Sequence, residues 1–391
     1  MLSTRIAHMR EYPFAAKLRK CREIERSGGH VIDLGIGSPD LKPPRAVIQS
    51  LKHHIDDPDC HRYQKSRGIL EFREAVAQWY HKHYHVELNP EKHILPVIGS
   101  KQSVYLISLC YIEPGDQVLI PNPGYLNYKA STLLASGIPI PYSLQEQSNW
   151  YPDFAKLEQM DLDRVKLLWM NYPHMPTGAS GCTELFEEAV QFAKKHDILI
   201  CHDNPYGLLT SREPVSPLQI EGALQHCLEL NSFSKTYHMA GWRLGMICGS
   251  SSHIEPLFHL FSHLHSGQFL PIQKAAITAL EVSSTWREEQ NVILEKRRAL
   301  VEEIFKLLHF RIPEGQTGLY VWAEAPSRIS DVDLFLDQLL TQRHLFLSPG
   351  SMFGSNGKRY ARASLCLEQS HIKTAIQRLT NHPFTESNRQ L

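Results

Sequence analysis

Lys235 stands in the segment Asn231-Ser232-Phe233-Ser234-Lys235-Thr236-Tyr237-His238-Met239-Ala240-Gly241-Trp242-Arg243, directly after an apolar run at 227–230. An isolated lysine behind a strand is usually a solvated surface residue. Here Ser232 and Ser234 precede the lysine by three and one residues, and Arg243 follows it by eight. An amine, two hydroxyls and a guanidinium crowd one turn, a set that suits a phosphate group beside a reactive amine. A second anion cradle is Gly99-Ser100-Lys101-Gln102, which follows an apolar run at 94–98 and opens a helix. Free backbone N–H groups and the helix dipole would hold a phosphate there, although Ser100 would serve equally as an ordinary N-cap.

Five further segments place reactive side chains at the borders of apolar runs. Cys201-His202-Asp203-Asn204-Pro205-Tyr206-Gly207 closes a run at 198–202, and thirty-two residues separate Asp203 from Lys235, enough for a crossover between strands of one sheet. Ligands of an α/β sheet sit outside the carboxyl ends of its strands, where both residues fall. The others are Pro121-Asn122-Pro123-Gly124-Tyr125, Asn171-Tyr172-Pro173-His174-Met175-Pro176-Thr177-Gly178, Tyr360-Ala361-Arg362-Ala363-Ser364-Leu365 and His61-Arg62-Tyr63-Gln64-Lys65-Ser66-Arg67-Gly68. Alternation along a strand at 361–365 turns Arg362 and Tyr360 to one side, with Arg359 the nearest rival arginine.

The elements that must position these groups follow from periodicity. Ile69, Phe72, Val76, Trp79 and Tyr80 make one apolar helix face beginning just after Gly68. Strands are expected at 118–120, 137–142, 165–170, 198–202, 227–230 and 244–248, with helices near 101–111, 125–135 and 183–195 between them. That alternation predicts an α/β fold whose large domain has a mainly parallel sheet flanked by helices. A long amphipathic helix at 286–308 then leads into a smaller α+β domain, with strands at 318–322, 344–347 and 361–365, a helix at 332–342 and a closing helix from about 370. The first 45 residues lack this periodicity and are read as an arm that returns to the smaller domain; the polar tail after 379 is expected to fray. The boundaries expected are 1–45, 46–282 and 283–391.

Together the quoted segments resemble the pyridoxal-phosphate-dependent aminotransferases of fold type I, the aspartate aminotransferase-like class I/II group, over nearly the whole chain. Gly99-Ser100-Lys101 and the overall pattern lean towards the diaminopimelate and alanine aminotransferase-like branch. The resemblance implies pyridoxal 5′-phosphate as cofactor, with Lys235 holding it as a Schiff base and, once free, moving the proton at the substrate's Cα. It turns Asp203 to the pyridine nitrogen and Tyr206 to the ring 3-hydroxyl, which makes Lys235, Asp203 and Tyr206 the implied catalytic set. Ser100, Lys101, Gln102, Ser232, Ser234 and Arg243 would hold the cofactor at its phosphate, Tyr125 would stack on its ring, and Asn171 is a further contact. Tyr63 matches a tyrosine that reaches the phosphate of the neighbouring subunit, implying a homodimer with shared active sites. Arg362 would clamp the substrate α-carboxylate, with Gly37 beside it. The chain departs from the family where relatives place Asn directly before Pro-Thr-Gly to hydrogen-bond the 3-hydroxyl, because Met175 cannot donate.

The implied reaction is a ping-pong exchange of an amino group between an α-amino acid and a 2-oxo acid. A C–S lyase, decarboxylase or other lyase of the same fold would use nearly these residues, since the bond broken depends on substrate orientation. A non-catalytic cofactor-binding homologue is the other alternative, and it would be marked by loss of Lys235 or an added helix-turn-helix region.

Composition narrows the classes further. In 391 residues, 41 Lys and Arg balance 41 Asp and Glu, so no long-range field favours a polyanion and nucleic acid is not an expected partner. No apolar stretch approaches the roughly 18 residues of a membrane span. The eight cysteines include no C-x-x-C pair, residues 1–11 hold no apolar stretch ahead of Glu11, and a reducing cytoplasmic setting is expected. None of the 22 histidines has ligand spacing, so no metal is expected.

Overall fold

The computed structural model describes residues 3–7, 9, 11–209, 213–382 and 384. Seven strands form the central sheet: β2 (Ile94–Val97), β3 (Gln117–Asn122), β4 (Ile138–Ser143), β5 (Val165–Met170), β6 (Leu199–Asp203), β7 (Cys227–Ser232) and β8 (Gly245–Cys248). They follow β1 (Ile32–Asp33), which lies elsewhere. Their spatial order is β2-β8-β7-β6-β5-β3-β4, and β8 alone runs antiparallel to its neighbours. The inner strands read as unbroken apolar runs because both faces are covered. Successive side chains alternate between two cores: Leu167 and Trp169 join Val104, Ile107 and Phe261 on one side, while Leu168 and Met170 join Phe186, Ala189 and Val190 on the other. Helices Ser100–Tyr111 and Ser251–Leu264 cover the first face, and Thr183–His196 covers part of the second.

A smaller antiparallel sheet joins β9 (Tyr320–Glu324), β11 (Ser348–Pro349) and β12 (Tyr360–Ser364) in the order β11-β12-β9. The strand expected at 344–347 is shortened to β10 (Leu345–Phe346), which pairs in parallel with β1 and not with the smaller sheet; β11 follows outside the expected bounds. The start of β9 is displaced from 318 to 320, since Gly318 adopts φ 75 and cannot lie in a strand. Within the first 45 residues lies a 14-residue helix, Pro13–Arg26, which the arm expected there did not include; it buries Phe14 and Cys21, and Lys17 pairs with Asp337 on helix Val332–Arg343. The tail expected to fray after 379 is helical to Asn381, and its residues from 385 onward lie outside those described.

Candidate active site

The carboxyl ends of β5, β6 and β7 open into a cavity of about 460 Å³. Ser232, the last residue of β7, caps the short helix Phe233–Thr236 by accepting the Ser234 N–H at 3.2 Å, and that turn presents Lys235 to the cavity. Lys235 Nζ donates to the Gly37 carbonyl. A Cβ on Gly37 would fall 2.0 Å from the Tyr320 hydroxyl, so only glycine lets the arm lie this close. Arg243 approaches from the turn after Ala240, to whose carbonyl it donates at 2.9 Å. Its guanidinium lies against Gly99, where φ is 90 and a Cβ would come within 2.6 Å of Nη2.

Ser100 and Lys101 follow at the start of helix Ser100–Tyr111. Burial, and then the charge of Arg243, hold the Lys101 ammonium below its usual pKa. None of the ion pairs among the described residues involves Lys101, Lys235 or Arg243. Three cations held in no ion pair and the hydroxyl-bearing Ser100, Ser232 and Ser234 therefore line one cavity, a set that fits a phosphate monoester.

Asp203 closes β6 and is 4% exposed. Its Oδ2 accepts from the Tyr128 hydroxyl at 3.1 Å, while Oδ1 is buried and has no donor. Burial pushes this carboxyl up to about 6, against the Tyr128 hydrogen bond and the nearby His202, which act downward. A buried acceptor without a partner is costly, and a protonated ring nitrogen is a donor of the kind it lacks. Tyr128 is held flat against Trp169, with ring centroids 4.8 Å apart. Tyr206 and Tyr125 line the same cavity; the Tyr206 hydroxyl lies 3.5 Å from that of Tyr320, and the Tyr125 hydroxyl accepts from Asn127 at 2.8 Å.

Asn171 is at the cavity wall, but its amide is engaged. It donates to the Asp203 carbonyl and accepts the Met175 N–H at 2.8 Å, tying β5 to β6. His174 bonds Thr177 at 2.8 Å and does not line the cavity.

Arg362, on β12, is 3% exposed. Its guanidinium lies 4.0 Å from the ring centre of Tyr320, 4.5 Å from Phe353 and 5.6 Å from Phe14. Nη2 donates to the Gly35 carbonyl at 2.7 Å, Nη1 reaches the Met175 sulfur at 3.2 Å, and Nε is buried without an acceptor. No carboxylate among the described residues pairs with it, so the fork is open to one from outside. Arg359 instead donates to the carbonyls of Ala325, Pro326 and Ile329, away from the cavity.

One expected residue is not brought to this cavity. Gln102 faces a separate apolar recess with Leu106, Leu109, Phe261 and Leu264, because two helical steps from Ser100 turn it through about 200°. Tyr63, which the resemblance turns to a neighbouring subunit, is 92% exposed and does not line the cavity of its own. Several residues the sequence reading passed over do line it, among them Tyr12, Phe14, Ile36, Tyr320 and Phe353, with Tyr128 behind Asp203. Only the aromatic-proline-aromatic run Tyr12-Pro13-Phe14 offered a local signal.

Comparison with known proteins agrees with this geometry. The family model for aminotransferase class I and II matches residues 29–379. An LL-diaminopimelate aminotransferase of Moorella thermoacetica is 37% identical over 377 residues, covering 96% of each chain. Transaminase BacF of Bacillus subtilis is 36% identical over 379 residues, covering 95% of this chain and 94% of BacF. The apo structure of BacF superposes with a TM-score of 0.93 at 33% identity, covering 97% and 98% of the two chains. With pyridoxal 5′-phosphate as the family's cofactor, this chain belongs to the aminotransferase class I and II family and is a transaminase of the type I fold.

Proposed function

We propose that this transaminase exchanges the amino group of an α-amino acid with a 2-oxo acid by a ping-pong route in which Lys235, Asp203, Tyr206 and Arg362 divide the work. Pyridoxal 5′-phosphate, when bound, supplies the electron sink that stabilises negative charge on the substrate's α-carbon. Ser100, Lys101, Ser232, Ser234 and Arg243 anchor its phosphate, Tyr125 flanks its ring, Asp203 Oδ1 accepts from its ring nitrogen, and Tyr206 donates to its ring oxygen. Arg362 holds the α-carboxylate in a bidentate fork, with Gly37 at its side, and so fixes which bond to Cα breaks. Lys235 Nζ takes a proton from Cα of the amino acid in one half-reaction and delivers a proton to the α-carbon of the 2-oxo acid in the other. The observation that carries this reading is the pairing, across one cavity, of an amine on a strand-end turn with a buried carboxylate oxygen that lacks a donor. Borohydride treatment of cofactor-loaded protein followed by peptide mapping tests it. The label is expected on Lys235; a label on Lys101, or none, would overturn the assignment.

The same reading includes the division of the chain into an arm (1–45), a large domain (46–282) and a small domain (283–391). It is supported by the confinement of the seven-stranded sheet to β2 through β8, of the smaller sheet to β9, β11 and β12, and by the pairing of β1 in the arm with β10. It also includes a cytoplasmic homodimer with shared sites, supported by the exposure of Tyr63 and by the eight cysteines, all free. No helix among the described residues is long and apolar enough to cross a membrane.

A further inference from the structure

We propose that Glu229, which lies behind the cavity and does not line it, is a positioning residue that aims Asp203 Oδ1 and Tyr206 at the cofactor. The proposal rests on the roles read above for those two residues. Glu229 is on β7, opposite His202 on β6, the residue before Asp203. Its carboxylate is fully buried, and no lysine or arginine among the described residues pairs with it. Where packing is the only requirement, apolar side chains fill such a volume as well or better, so a buried carboxylate calls for a reason. Four donors among the described residues surround it. Oε1 accepts from the Tyr80 hydroxyl at 2.9 Å and the Asn204 amide at 3.3 Å, and Oε2 from the Ser216 hydroxyl at 2.6 Å and His202 Nδ1 at 3.2 Å. The tautomer of His202 follows from its other nitrogen: Nε2 accepts the Tyr172 N–H at 3.2 Å, which leaves the proton on Nδ1. Tyr80, His202, Asn204, Ser216 and Glu229 are each at most 1% exposed within a single chain, so a second subunit does not reach the cluster.

Two of these donors belong to the scaffold and two to the backbone that carries the site. Tyr80 is on helix Leu70–Tyr84, and Ser216 caps the turn Pro217–Gln219. Asn204 instead separates Asp203 from Pro205 and Tyr206, and a Cβ on Gly207 would come within 2.5 Å of both the Asn204 Oδ1 and the Tyr84 hydroxyl. The turn that presents Tyr206 therefore closes directly over the Asn204 amide, and the direction of that amide sets the direction of the turn. His202 carries the same hold to the neighbouring strand: Tyr172 follows Asn171, whose amide donates to the Asp203 carbonyl. One carboxylate thus fixes the backbone on both flanks of Asp203, whose Oδ1 has no donor of its own among the described residues.

Glu229→Gln separates positioning from packing, because it keeps the volume and removes one acceptor oxygen. The Tyr80 and Ser216 hydroxyls can reverse and accept from the new amide, whereas the Asn204 amide nitrogen and His202 Nδ1–H cannot, so a residue on the site's side must turn over or lose its link. Tyr80→Phe is the control, since it removes a hydrogen bond on the scaffold side and leaves the other three. The readout is the NMR resonance of the ring nitrogen, and hence its protonation, in protein loaded with isotope-labelled pyridoxal 5′-phosphate. The ratio of protonated to unprotonated nitrogen is expected to fall about tenfold in Glu229→Gln, the effect of one pKa unit. In Tyr80→Phe it is expected to keep the wild-type value, the lost bond showing in thermal stability alone. A wild-type resonance in folded Glu229→Gln, or an equal shift in Tyr80→Phe, would overturn the proposal and leave Asp203 in its role. If Asp203→Asn itself keeps the wild-type resonance, Asp203 does not meet the ring nitrogen and both readings fall together. Should Glu229→Gln fail to fold or to take up the cofactor, Asn204→Ser, which cuts the direct link and leaves the carboxylate its other donors, is expected to show the same shift, and a wild-type resonance there would equally overturn the proposal.

Discussion

Asp203 has one oxygen bonded to Tyr128 and the other without a donor, and burial lifts its pKa from 3.8 to about 6. Between those values the folded apoprotein holds a proton that the unfolded chain has lost, so the stability of the folded form falls as pH rises through that window. Asp203→Asn removes the titration. The stability difference between the apo wild type and the variant should therefore shift against the wild type by about 2 kcal/mol from pH 4 to pH 7, read by denaturant unfolding. Parallel curves would show that Asp203 is solvated or otherwise paired. At Arg362 the geometry matters more than the charge, because a lysine keeps the cation and loses the fork. Arg362→Lys is expected to lower kcat/KM for amino acids about 100-fold, near 2.7 kcal/mol, with the cofactor spectrum unaltered. An equal loss on Arg359→Lys alone would place the clamp one turn of argument away, on a residue whose guanidinium is engaged by the carbonyls of Ala325 and Pro326. Lys235 was legible in sequence because Ser232, Ser234 and Arg243 crowd the same turn, where a lone lysine would read as surface. Tyr320 and Phe353 were not, since an aromatic residue in a strand or turn reads as core until a cavity is found beside it.

At the scale of elements, the sequence disclosed the large sheet well. Its strands lie within about two residues of their expected bounds because an inner parallel strand is an apolar run whatever its neighbours are. The helices Ser251–Leu264 and Leu270–Leu280 were less legible, since Pro256 lies inside the first and Pro271 near the start of the second. β10 and β11 are separated by Leu347 alone yet join different sheets, a division that only tertiary pairing decides. Gln102 shows the same limit on a smaller scale, since a motif read as a string ignores which way each helical position points. The strand-to-helix junction at Gly99 gives a sharp test of the anion cradle. With φ 90 and Arg243 Nη2 where a Cβ would go, Gly99→Ala should weaken cofactor binding about tenfold or more, near 1.4 kcal/mol, by displacing the guanidinium. Spectral titration of the apoprotein measures this, and an unchanged affinity would show that Arg243 does not serve the phosphate.

For the whole molecule, Tyr63 is the residue whose position asks for a second chain: it is 92% exposed, and nothing in its own subunit covers it. Mixing Lys235→Ala subunits with Tyr63→Ala subunits should give hybrids more active than either parent, because one hybrid site receives an intact lysine and an intact tyrosine from different chains. A fully active monomer at assay concentration would refute the shared site. The architecture was legible from periodicity, and the family from the resemblance of the quoted segments to known aminotransferases. Completion of a site across subunits cannot be read from contacts within one.

The Gly35 carbonyl accepts from the Ser348 hydroxyl across 313 residues of chain, and among the described residues β1 has its only strand partner in β10. The same stretch of backbone carries Gly37 to Lys235. During synthesis the strands β2 to β8 are all available to pair before β10 leaves the ribosome, while β1 waits for it. The large sheet should therefore acquire protease resistance on nascent chains well before residues 12–37 do, and the wall of the cavity formed by Tyr12, Phe14 and Gly37 should be the last part of the enzyme to be set in place.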